Sequence, residues 1–192
     1  MQVSRYNLLR MLLIAVLGVC FQTGGVDADQ PVGLLADSQQ KPAVTFELDI
    51  QPLLTRFGCN SGPCHGKARG QNGFALSLLG FDSEFDYAAL VQEGRGRRIF
   101  RGSPEQSLLM RKATGEIPHG GGGRFEVGSS HYNLLIEWIR AGSPRTPADA
   151  PKLVKVEVEP KHQSLRPKEA TQLRVIAEYS DGRTRDVTDA SA

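Results

Sequence analysis

The 192-residue chain has little surplus charge: 23 Lys and Arg stand against 21 Asp and Glu, a formal net of +2. Nucleic-acid binding draws on many phosphate contacts and a strongly basic surface, so this balance argues against that class of partner. Long apolar runs are also missing. The longest, Met11 to Phe21, falls well short of the roughly 20 residues that cross a bilayer. No G-x-S-x-G elbow accompanies the HGGG of residues 119–122, which argues against nucleophilic hydrolysis. The glycine run has no Lys-Ser/Thr pair and so makes no phosphate loop. Cysteine is scarce, with three in all, and Trp138 is the single tryptophan, read as core.

The apolar run is preceded by Arg5 and Arg10 and followed by a small-x-small site at Val26-Asp27-Ala28. That pattern is a secretory signal peptide over residues 1–28, and the mature chain is expected outside the cytoplasm, in the periplasm or at the cell surface. Leu17-Gly18-Val19-Cys20 outlines a lipoprotein box and offers lipidation of Cys20 as the less favoured alternative. Removing the signal leaves two cysteines, Cys59 and Cys64, with His65 immediately after them.

Residues 29–44 are polar and patternless and read as a linker. FELDIQPLLTRFG places Phe46, Ile50, Leu53, Leu54 and Phe57 on one helical face and ends at Gly58. From Gly58 to Gly128 lie 15 of the 21 glycines, predicting tight turns and loops. Asp82 is placed to cap a helix over EFDYAALVQEG, and Ser103 with Pro104 to start another that stops at Gly115. SSHYNLLIEWIRAG reads as an amphipathic helix with Tyr132, Leu135, Trp138 and Ile139 inward. SPRTPADAP, with residues 143–152 as its span, reads as a linker. Beyond it the period becomes two: LVKVEVEP, TQLRVIAEY and RTRDVT read as three strands, the last two joined at Asp181-Gly182. Three strands cannot bury a sandwich core, so the chain is expected to be a fragment of a longer protein.

Two thiols followed directly by an imidazole suit covalent haem attachment, in which the thiols add to the haem vinyl groups and the histidine reaches the iron. Four residues separate the cysteines here, against two in the standard spacing. On the residues alone a Cys59–Cys64 disulfide remains open, and zinc is a minor third reading. His119, in PHGGGGRF, is the only histidine or methionine in the loop before the last helix. It is the first choice for a sixth iron ligand, with Met110 in the apolar SLLM run as the alternative and an open position as a third. Arg97 and Arg98, in the basic run that also holds Arg95 and Arg101, are candidates for contacts to haem propionates.

The phrases GCNSGPCHGKARGQNGF, LSLLGFDSEFDY, GRGRRIF, PEQSLLMRKATG, PHGGGGRF and LLIEWIRAG together resemble the planctomycete-type cytochrome c domain of large exported proteins. They cover about half of the chain. The resemblance implies a mainly α haem domain of class I cytochrome c architecture over residues 45–142. It also implies that residues 153–192 begin an all-β bacterial Ig-like sandwich domain of group 2, with larger domains beyond. Its functional implication is a single covalently bound haem c that transfers electrons, with His65 proximal and His119 distal, and no enzymatic step within this region. The redox partner is not specified, and no membrane span is expected in the mature chain. The alternative from another class is a haem-free, disulfide-stapled binding or adhesion module of the cell envelope.

Overall fold

The computed structural model describes residues 42–66 and 68–192. The signal peptide, the lipid-box Cys20 and the linker up to residue 41 lie outside the described residues. The four α-helices are α1 (Gln51–Arg56), α2 (Ser83–Tyr87), α3 (Leu108–Ala113) and α4 (Ser130–Arg140). They are followed by three strands, β1 (Leu153–Glu159), β2 (Arg174–Tyr179) and β3 (Thr184–Asp186). The strands form one antiparallel sheet in the order β1-β2-β3.

This corrects the expected fold class. Helix of every kind covers 33% of the described residues, and only α4 exceeds two turns, so the body is not a mainly α domain of class I cytochrome c architecture. The physical reason lies in the chain's punctuation. Gly58, Gly80, Gly94, Gly96 and Gly115 all take positive φ and stop or turn the backbone where a longer helix would have continued. Residues 153–192 make a single three-stranded sheet rather than two packed layers, with Val154, Val156 and Val158 exposed.

Proline shapes the first helical stretch. Residues Phe46–Ile50 form a wide turn in which Ile50 N–H donates to Thr45 and Gln51 N–H to Phe46, and only then does α1 begin, with Pro52 in its first turn. Pro52 has no N–H and its ring crowds the carbonyl four residues back, which disfavours the ordinary helical register just there. Asp82 caps α2 through Phe85 N–H at 3.0 Å. Ser103 makes no such cap; Pro104–Gln106 is an isolated turn, and α3 starts after Ser107.

One apolar core binds these short elements. Phe46, Ile50, Leu53 and Leu54 from the first stretch meet Leu135, Ile136, Trp138 and Ile139 of α4, with Leu90, Ile99 and Met110 between. Phe46 packs on Trp138 at 5.9 Å and edge-on against Tyr87 at 5.3 Å. The indole N–H of Trp138 and the amide of Phe46 both donate to Pro144 O, at 2.9 and 3.0 Å. Arg145 reaches Glu47 at 2.8 Å and Glu84 at 3.1 Å, so residues 143–146 lie bound to the helical body. The sheet is tied to that body by Arg185, which pairs at 2.6 Å with the buried Asp49, and by His131 Nε2 against Asp189 O at 3.0 Å.

Candidate functional site

The cysteine motif begins where α1 runs out. Gly58 turns at φ +68°, Cys59 N–H donates to Leu54 O at 2.8 Å, and His65 N–H donates back to Cys59 O at 2.9 Å. Between them Ser61 and Cys64 amides close two tight turns onto Gly58 O and Ser61 O. The four residues separating the cysteines are thereby folded into a compact knot, with Asn60 fully buried and Gly62 and Pro63 pushed outward. Gly66 is required beneath it. A Cβ there would stand 2.0 Å from Asn60 O, which no side chain tolerates.

Both thiols are free and half-buried. Burial pushes the Cys59 thiol up to about 11, against the opposing pull of the Arg124 charge. Cys59 is therefore a neutral thiol near pH 7. A buried neutral sulfur suits a thioether better than a thiolate, which burial disfavours.

His65 Nδ1 lies 2.9 Å from Phe74 O, and the Phe74 ring packs on the imidazole at 4.6 Å. Across the same cavity, His119 Nδ1 lies 2.9 Å from Gly122 O. A carbonyl only accepts, so each Nδ1 is the donor. Holding a histidine's distal nitrogen this way is how metal-ligating imidazoles are oriented. The two rings stand 6.5 Å apart, centre to centre, with 9° between their planes. The two imidazoles thus stand near-parallel within one cavity.

The cavity around them measures about 750 Å³, a size that takes a cofactor. Leu54, Leu90, Leu108, Leu109, Ala113 and Phe74 supply apolar wall, and Cys59, Cys64, His65 and His119 all line it. Its charged lining is entirely cationic: Arg97, Arg98, Lys112 and Arg124, with no acidic residue among the described ones. An apolar-walled cavity with cationic lining matches an apolar ring bearing carboxylates.

The two arginines foreseen for propionates differ. Arg97 is exposed at the rim. Arg98 is buried and its guanidinium is engaged, donating to Ala89 O at 2.6 Å and Gly73 O at 2.7 Å while lying 4.6 Å over Phe74. Burial pulls this guanidinium below its usual value, and Glu93 at 4.0 Å offsets part of that. Arg98 braces the Phe74–His65 side of the cavity. Met110, the alternative ligand, is 1% exposed in the core and is not among the residues that line the cavity.

Comparisons with family models, curated proteins and solved structures return no match for this chain. Among the described residues no three His, Cys, Asp or Glu side chains are grouped as a bare-ion cage would need, which leaves the zinc reading without support. Lys112 and Arg124 escaped the sequence reading. Their place follows from a backbone bond, Arg124 N–H to Ala113 O at 2.6 Å, that folds the glycine loop back onto α3. The one available signal was a basic residue directly after the glycine run.

Proposed function

We propose that the chain is an exported c-type haem protein that carries one covalently bound haem and passes single electrons to a partner, without itself catalysing a reaction on a substrate. The observation that carries this reading is the convergence of Cys59, Cys64, His65 and His119 on one cavity with apolar walls and cationic lining, both imidazole Nδ1 atoms being anchored on carbonyls. Cys59 and Cys64 would hold the ring through thioethers, and His65 and His119 would ligate the iron. Bound haem supplies a one-electron couple at a potential set by its ligands and surroundings. The chain's own residues do the rest. His65 is fixed by Phe74 O, His119 by Gly122 O, and the leucines of the wall exclude water. With His65 and His119 both ligating, no position would be left for a substrate on the metal, which favours electron transfer. The resemblance to planctomycete-type cytochrome c domains points the same way.

The test is expression of the exported chain alongside a haem-attachment system. Haem should remain with the polypeptide through denaturation and acid extraction. Cys59→Ala and Cys64→Ala should each leave a single thioether, and the double variant none. An intact mass with no added haem, whether thiols are free or joined, refutes the proposal.

A further inference from the structure

Arg124 carries a charge that no carboxylate among the described residues pairs with. Its Nε is buried without a hydrogen-bond partner. Among the described residues no carboxylate stands within ion-pair distance of it. Its Nη2 instead points to Cys64 Sγ at 3.6 Å, a weak acceptor. The other end of the site is equally close. A Cβ built on Gly121 would meet Arg124 Nη2 at 2.8 Å and His119 Cε1 at 3.1 Å, so guanidinium and imidazole share the space that a side chain would take. Arg98, by contrast, spends its donors on two carbonyls and has Glu93 nearby. Leaving a buried guanidinium donor unpaired is costly in free energy, and fixed charges act strongly where water is excluded.

We infer that Arg124 is a positioning residue that sets the reduction potential at this site, its charge beside Cys64 and His119 favouring the reduced state. This rests on the proposed function. The oxidised state carries one more positive charge than the reduced state, so a neighbouring cation opposes oxidation. The Ala113 bond fixes the Arg124 backbone, and Nη2 rests 3.6 Å from Cys64 Sγ, so the charge is held beside the site.

The test is a spectroelectrochemical titration of the full haem-bearing chain and of three variants. Arg124→Met removes charge and donors; Arg124→Gln removes charge but keeps N–H donors toward Cys64; Arg124→Lys keeps charge. The two neutral variants should move together to lower potential, by roughly tenfold in the oxidised-to-reduced ratio at fixed potential, about 59 mV for one electron. Arg124→Lys should stay near the parent. All should retain the low-spin spectrum. A merely structural role would lower thermal stability in the variants and leave the potential where it was. If Gln tracks Lys, or all three variants keep the parental potential, the inference fails while the proposed function stands. If the parent chain takes up no haem, the proposed function fails and this inference falls with it.

Discussion

His119 and Met110 differ in what surrounds them, and that difference makes a residue-level test. His119 is half-buried on the cavity wall with its ring pinned by Gly122 O. Met110 is sealed among core side chains. His119→Ala should open one axial position, giving high-spin character and carbon monoxide binding in the reduced form, read by visible and magnetic spectra. His119→Met should raise the potential if it restores six-coordination, because a thioether favours ferrous iron relative to imidazole. Met110→Leu is a nearly volume-conserving core exchange and should cost under about 1.5 kcal/mol, leaving the spectrum alone. Loss of the low-spin spectrum in Met110→Leu but not in His119→Ala would exchange the two roles. The structure brings Cys59, Cys64 and His65, neighbours in sequence, to one cavity with His119, the only histidine or methionine of its loop. Arg124 was not legible in the sequence, since its nearness to Cys64 spans 60 residues and depends on how the glycine loop folds.

At the scale of elements, short helices need ties other than their own length, since one or two turns are marginal in water. Asp86 supplies one such tie. Fully buried in α2, it accepts from Ser77 N–H at 2.5 Å, Ser77 Oγ at 2.9 Å and Gln51 Nε2 at 3.0 Å, joining α1, α2 and the loop between. Asp86→Ala would strand the buried Gln51 amide and two half-buried Ser77 donors, and should cost about 3 kcal/mol by urea unfolding. Asp82→Ala, which removes only an exposed cap, should cost about 1 kcal/mol. Equal losses in the two variants would show that the buried node does not hold these elements together. The helix α4 was readable from its period, because Leu135, Trp138 and Ile139 recur on one face and all three are buried. The wide turn before Pro52 was not readable. Periodicity marks which face is apolar but says nothing about whether each carbonyl receives its bond four or five residues on. The expectation of a mainly α domain failed for a related reason: it took the order of helical segments as architecture, while the glycines between them decided how short each segment would be.

The whole described body is joined through a few polar ties, and these give its stability a pH dependence. Glu47, in the first helical stretch, accepts from Arg145 Nε at 2.8 Å and from Thr146 N–H at 2.7 Å, closing the body across nearly 100 residues of chain. Burial works to raise the Glu47 carboxyl, yet the Thr146 amide and the Arg145 guanidinium outweigh it and hold the group below its ordinary value of 4.5. A carboxyl depressed in the folded state stabilises it above the unfolded value, and that contribution disappears as pH falls through the lower, folded value. Stability should therefore be flat near neutrality as far as Glu47 is concerned and begin to fall below about pH 4.5. Glu47→Gln should be less stable than the parent at pH 7, and the gap should narrow as the pH is taken below 4, followed by urea unfolding at each pH. Arg185→Ala, which removes the 2.6 Å pair to the buried Asp49, should loosen the sheet from the helical body while leaving the Glu47-dependent slope intact. If the Glu47→Gln and parent curves run parallel from pH 7 to pH 3, the closure at residues 145–146 does not depend on that carboxylate.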